Sequence, residues 1–539
     1  VPRPAPGEAE ASEALNDWQL KIASLVVRLT VDVPVDPTER TPEQHARWLL
    51  AHTLDFHRRE QKAVWWEYFR LSALAADDLV DERAGLSGLT FVGPQGGTAK
   101  APIHRYAFQP QETEMRGSED LHNLGGAKLG TVHAISVDER WIDIKKRMDS
   151  AALHPEAVFS RKVINADVLA DALVRIGESV AANGLEGSGA YLAARDLLLR
   201  MGPRLGGQAL QGEGEASLDA ACRIALALEG GLLPIQGPPG SGKTFTGARM
   251  ICALVRAGKK VGICATSHKV IRNLLDEVVR ASAEQGIDLV CIQKPSEPEP
   301  DQPRLRFAKS NADLLAALAA GAQVAGGTAW LWASPDAMRV IDVLFVDEAA
   351  QMSLANVLAI SQAAAQLVLL GDPQQLDQPM QGSHPEGTDV SALHYVLGEE
   401  QTVPAERGLF LAETWRLHPE ICRFTSEMFY ANRLHPRAGL ERQAIVSTSR
   451  ISGSGLRFLA VSTRGHQSAS PEEAEAVRLL VVETLASGAT WTNDQGVPAV
   501  VTLQDILIIA PYNAQVFELA ERVPGARIGT VDKFQGQQA

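Results

Sequence analysis

Apolar residues recur at intervals of three and four through ARWLLAHTLDFHRREQKAVWWEYFRL, the spacing of a helix with one buried face. Residues from about 12 to 80 are therefore expected to be helical, with Trp65 and Trp66 as packing residues. From Leu86 to Lys146 the chain breaks into the β-rich segments LTFVG, IHRYAFQP, KLGTVHAISV and RWIDIKK, divided by Gly, Pro and Asn. A small β-barrel is expected there. Helical spacing returns from about 155 to 200, and the Gly-rich GPRLGGQALQGEGEA reads as a linker. Beyond it the apolar runs LLPIQ, KKVGICA, VLFVD and AQLVLLG alternate with helical stretches, and DILIIAP and ARIGTVD form a second set. Strands alternating with helices at this spacing indicate an α/β class with two parallel sheets. The expected division is a helical stalk over 1–84, a β-barrel over 85–150, stalk and linker over 151–215, a first α/β domain over 216–400 and a second, incomplete one over 401–539.

Composition and charge add to this picture. A chain of 539 residues is too long for one core, and 45% apolar with 22% charged residues is ordinary for a folded soluble protein. The sequence contains no membrane-spanning run and no signal-like N-terminus, so no membrane partner and a cytoplasmic location are expected. Cys222, Cys252, Cys264, Cys291 and Cys422 are scattered without a C-x-x-C pair, which suggests a reduced compartment and no zinc or iron–sulfur site. The formal charge of −14 argues against blanket attraction to phosphates, so any nucleic-acid contact must be local, made by backbone amides and hydroxyls in a groove. Val1 in place of Met, and an end at Ala539 directly after a motif-like string, suggest a fragment of a longer protein.

The strand ends carry the candidate chemistry. Gly237, Pro238, Pro239, Gly240, Ser241, Gly242, Lys243 and Thr244 fit G-x-x-x-x-G-K-[ST] between an apolar strand and a helical run. Such a loop curls its N–H groups around a nucleotide phosphate at a helix N-terminus, with Lys243 on the β and γ oxygens and Thr244 on Mg²⁺. VLFVDEAAQ places Asp347 and Glu348 at another strand end, Asp347 for the Mg²⁺ shell and Glu348 for the attacking water of ATP hydrolysis; alone, the pair also fits a solvated helix cap. In LVLLGDPQQLDQP, Gln375 is a candidate γ-phosphate sensor, or part of a polar turn. Arg416 in ETWRLHP is a candidate arginine finger, or a surface arginine on a helix that buries Trp415 and Leu417. Asp143 and Lys145 in WIDIKK faintly match a nuclease D-x-K pair, but the alternation reads as a barrel strand.

Together and in order, IQGPPGSGKT, CATSHKVI, FVDEAAQ, LLGDPQQL, ETWRLHP, APYNAQV and GTVDKFQGQQA resemble the motifs of superfamily 1 helicases of the Upf-like, senataxin-like branch. LDFHRREQKAVWWEYF, GGTAWLW and GSHPEGTDVSALHYVLG are similar to strings of bacterial proteins that join a RecB-like nuclease to such a helicase. The resemblance implies tandem RecA-like P-loop domains, the second truncated, with the stalk and barrel as an accessory domain. It implies an upstream nuclease domain, 5′ to 3′ travel on a single strand, DNA favoured over RNA, and a role in DNA repair or processing. It also implies that Ser267 and Thr328 touch the strand backbone from the first motor domain and Thr530 and Gln535 from the second, with Tyr512 and Gln515 facing the interdomain cleft.

Three departures stand out. Cys222 occupies the place of a glutamine that reads adenine, and Gln538 the place of a glutamate near the nucleotide. The chain ends before the family's last arginine-bearing motif, which predicts impaired hydrolysis if nothing follows. An ATP-gated strand clamp without processive movement is the alternative to a motor. A P-loop kinase would lack both GDPQQ and RLHP.

Overall fold

The computed structural model describes residues 13–534, apart from 81, 110, 112, 138, 162–163, 187–189, 377–379, 464 and 494. Its stalk begins with helices Glu13–Leu29, Pro42–Thr53 and Phe56–Ala73. The second starts in a capping box, Thr41 Oγ1 accepting from Gln44 N–H while the Gln44 side chain accepts from Thr41 N–H. Leu25, Leu29, Leu49, Leu50 and Leu54 pack with Leu173 and Ile176 of helix Asp167–Asn183 into the same core that backs the large sheet. A Cβ on Gly177 would lie 2.9 Å from Leu25 Cδ2, so glycine permits this close crossing.

Trp65 and Trp66 differ from expectation: they are 44% and 46% exposed, beside Phe69 at 54%. Their helix buries Phe56, His57 and Leu71 instead. On its outer side Arg70 bridges Glu67 and Glu82 at 2.6–2.8 Å. Helical periodicity identified an apolar face, but among the described residues nothing buries Trp65, Trp66 and Phe69.

Seven antiparallel strands form the accessory sheet, in the order Gly85–Leu86, Val158–Phe159, Asp120–Asn123, Lys128–Ser136, Trp141–Lys146, Ala101–Ala107 and Thr90–Thr98. Leu86, Tyr106, Leu121, Val132, Ile142 and Ile144 make its core. Asp143 is a strand residue, paired with Arg105 by two 2.8 Å bonds, so its carboxylate already has a cation.

The first α/β unit holds an eight-stranded sheet, all parallel, in the order Leu305–Phe307, Cys291–Gln293, Val324–Gly326, Val261–Cys264, Val343–Val346, Gln366–Gly371, Gly231–Gln236 and Leu409–Phe410. Helices cover both faces, and the central strands read as unbroken apolar runs because neither face meets water. The sheet reaches beyond residue 400, with Leu409 in register with Ile235 as its edge strand. In the second unit, Leu507–Ile509 pairs in parallel with Arg527–Gly529. Helices Pro471–Ala486 and Asn513–Arg522 pack on this pair through Ala474, Val481, Ile508, Leu519 and Ile528. Among the described residues, no helix is long and apolar enough to cross a membrane.

Candidate nucleotide site

The strand Gly231–Gln236 is wholly buried and ends at Gly237, where the chain turns sharply into helix Lys243–Arg256. Gly240 and Gly242 hold φ of 75° and 81°, left-handed values that side chains disfavour. Lys243 Nζ crosses the turn to donate to Gly237 O at 2.8 Å, and Ser241 N–H donates to Pro238 O at 3.0 Å. The helix N-terminus therefore opens onto a cleft of about 800 Å³ with its amides facing an anion-sized space.

Asp347 follows the strand Val343–Val346 and is 4% exposed. Burial, with the neighbouring Glu348 charge, pushes its carboxyl up to about 7 against the opposing pull of Lys243. Glu348 N–H donates to Asp347 Oδ1 at 2.9 Å, and Glu348 itself stands at φ 52°, unusual for a glutamate. Both side chains line the cleft with Lys243 and Thr244. The hydroxyl of Thr244 and the crowded carboxylate of Asp347 are hard oxygen donors of the kind Mg²⁺ takes alongside phosphate and water.

From the next strand, Gln375 reaches the cleft while its Nε2 donates to Asp372 Oδ2 at 3.2 Å. Asp372 is fully buried and also accepts from Tyr430 Oη at 2.7 Å. Burial and that carboxylate hold the Tyr430 phenol far above its usual range. Tyr430→Phe leaves the carboxylate short of a donor and is expected to lower stability by about 1–3 kcal/mol, read by thermal denaturation. An unchanged melting temperature would contradict it.

Arg416 enters from the segment after strand Glu413–Thr414, and that segment is pinned to the phosphate loop. Thr414 Oγ1 donates to Pro239 O at 3.0 Å, and Trp415 N–H donates to Gly240 O at 2.8 Å. A Cβ on Gly240 would sit 2.5 Å from Arg416 Cβ. Arg416 is exposed in the cleft and, among the described residues, its guanidinium has no hydrogen-bond or ion-pair partner. It lies before helix Pro419–Phe429 and not on it, and Trp415 is 54% exposed with the Arg437 guanidinium stacked 3.6 Å from its ring centroid. The surface-helix alternative for Arg416 does not hold. Trp415 and Gln443, both lining the cleft, were missed by sequence reasoning. The signal available for Trp415 was the two-residue alternation that buries Thr414 and turns its neighbours outward.

Ser267 is exposed and caps helix His268–Glu284, its Oγ accepting from Val270 N–H at 3.3 Å. Thr328 is half-buried at the start of Ala329–Trp332. They follow the adjacent strands Val261–Cys264 and Val324–Gly326 and so share the C-terminal edge of the sheet. Tyr512, 55% exposed, and half-buried Thr530 likewise follow the paired strands of the second unit. Gln515 is different: it is buried, its Oε1 accepting from Ser470 N–H at 2.6 Å and its Nε2 donating to Ser470 O at 3.2 Å. Its amide ties two helix starts together through one bond at each polar end. Cys222 packs against the core under the sheet, with burial pushing its thiol up to about 11, and is not among the residues lining the cleft. Gln535 and Gln538 lie outside the described residues.

A phosphate loop, an acidic strand end and an arginine leaning onto that loop, followed along the chain by a second parallel strand pair, define the class: tandem RecA-like P-loop domains. Profiles described as AAA domain match residues 218–387 and 391–539. The DNA-binding protein SMUBP-2 of Rattus norvegicus is 26% identical over 378 residues, 56% of this chain and 36% of that protein. The DNA polymerase alpha-associated DNA helicase A of Schizosaccharomyces pombe is 23% identical, covering 60% of this chain and 57% of that protein. The DNA replication ATP-dependent helicase/nuclease DNA2 of Gallus gallus is 25% identical, covering 56% and 30%. The chain thus spans only 36% and 57% of the lengths of the first two relatives. A solved arterivirus nonstructural protein 10 helicase bound to DNA aligns at a TM-score of 0.25 and 18% identity over 41% of this chain and 44% of that one, too weak a likeness to carry argument. The two profiles and the helicase relatives indicate an Upf-like superfamily 1 helicase.

Proposed function

We propose that this chain couples ATP hydrolysis to movement along a single nucleic-acid strand, and splits duplex ahead of it. The observation that carries the reading is Arg416, held over the phosphate loop by Thr414 and Trp415 with its guanidinium unpartnered among the described residues. In this reading Gly237–Thr244 cradles the phosphates, Thr244 and Asp347 hold Mg²⁺, Glu348 orients and deprotonates water, and Gln375 senses the γ-phosphate. Bound Mg²⁺ supplies neutralisation of phosphate charge. Arg416 meets the charge developing in the transition state from a segment fixed to the phosphate loop. Ser267 and Thr328 grip the strand on one side, Tyr512 and Thr530 on the other, and closure and reopening of the cleft shift these grips relative to each other.

Trp415 offers its indole as a platform for the nucleobase, backed by Arg437. Trp415→Ala is expected to raise the nucleotide KM in line with the loss of about 1–3 kcal/mol of stacking, with kcat little changed. An unchanged KM would remove the base from this position. Gly240→Ala is expected to weaken nucleotide binding about tenfold or more, since a left-handed alanine is strained by about 1–3 kcal/mol and its methyl meets Arg416. Titration with a fluorescent ATP analogue reads this directly.

DNA is the favoured strand and repair or processing beside a nuclease the favoured setting, because two relatives are named for DNA helicase activity and one also for a nuclease. The deciding experiment is ATP hydrolysis by the chain with and without single-stranded DNA or RNA. Turnover stimulated by one polymer and absent from Lys243→Ala supports the motor and names its track. ATP binding without turnover supports a nucleotide-gated clamp instead.

A further inference from the structure

Downstream of Asp372 and Gln375, residues 381–384 lie against the stalk helix Phe56–Ala73. Glu60 on that helix accepts from the backbone N–H of Gln381 at 3.1 Å and of Gly382 at 2.8 Å. Its Oε1 also lies 2.5 Å from His384 Nε2. Arg59 Nε donates to His384 Nδ1 at 3.2 Å, so Nδ1 is the acceptor and the ring proton sits on Nε2, facing the carboxylate. The His384 side chain is 0% exposed and its ring stacks on Phe56 with centroids 4.4 Å apart. Gly382 permits the approach, because a Cβ there would be 2.8 Å from Arg59 O. Arg161, just past the accessory-sheet strand Val158–Phe159, reaches the same loop at Gln381 Oε1, 3.1 Å away. The other end of the connection holds Asp372, bonded to Tyr430 beyond the first sheet.

We propose that Glu60 and His384 are positioning residues that couple the nucleotide cleft to the stalk and accessory sheet, so that nucleotide at Gln375 changes strand affinity only while this clamp is intact. The inference rests on the motor reading of the cleft. A buried contact whose polar atoms are all engaged shifts as a unit, since packed groups do not deform continuously. Without it the connection moves independently of the stalk, and the two ligands lose their mutual effect, which by linkage is the same in either direction.

The test titrates a labelled oligo-dT strand with the whole 539-residue chain, with and without magnesium and ATPγS. Wild type is expected to show a nucleotide-dependent change of strand Kd of about fivefold or more. In His384→Ala the ratio falls to about one, while nucleotide affinity stays within about twofold. His384→Gln, whose amide can donate to Glu60 and accept from Arg59, keeps the wild-type ratio. If His384→Ala does not fold, Glu60→Gln gives the same readout, since its amide keeps the volume but turns a donor towards donors. A wild-type ratio in the foldable variant overturns the inference. So does equal loss of nucleotide affinity in His384→Ala and His384→Gln, the mark of a merely structural contact. Wild type that binds neither ligand, or binds both without coupling, overturns the motor reading and this inference together.

Discussion

Arg416→Ala lowers strand-stimulated ATP turnover by about 10³ to 10⁵, the effect of withdrawing a guanidinium from the γ-phosphate transition state. The expectation follows from place. The arginine is exposed in the cleft and its backbone is fixed to Gly240 and Pro239 through Trp415 and Thr414, so its position relative to the phosphates is set before nucleotide arrives. Because the group acts on charge that develops during reaction, ground-state affinity should fall much less than turnover. Phosphate release and equilibrium ATP binding, measured on the same preparation, separate the two. A loss of binding equal to the loss of turnover would make Arg416 a ground-state ligand, and unchanged turnover would remove it from the mechanism.

The second large effect is expected at Glu348. Glu348→Gln keeps the shape of the side chain but cannot accept a proton from water, and turnover should drop by about 10² to 10⁴ while ATP still binds. Glu348 lines the cleft beside Asp347 with its backbone in the left-handed region at φ 52°. Trapping of bound ATP by filter binding checks this, and loss of binding in step with turnover would instead assign Glu348 to the magnesium shell.

Much of the site was legible in the chain because strand ends and tight glycine turns are local features. Asp347 and Glu348 directly follow an apolar run, Lys243, Thr244 and Gln375 lie a short loop past theirs, and parallel order brings those ends to one edge of the sheet. The burial of Gln515 was not legible for a related reason. Its position after a strand was correct, but whether an amide faces a cleft or a neighbouring helix start depends on Ser470, 45 residues away. Trp65 and Trp66 show the same limit from the other side, since periodicity reveals an apolar face without revealing what, if anything, covers it.

The sequence by itself determined the α/β class, the parallel order implied by alternating strands and helices, and the phosphate loop with its acidic partner. These depend on backbone sterics, side-chain periodicity and short spacings that survive in any context. Tertiary structure alone decided that Trp415 lines the cleft and Arg416 leans on Gly240, that Leu409–Phe410 completes the first sheet, and that Glu60 grips the loop of His384. Each of those joins residues tens to hundreds of positions apart, and such pairings are selected by the packing of whole layers, which no local pattern encodes.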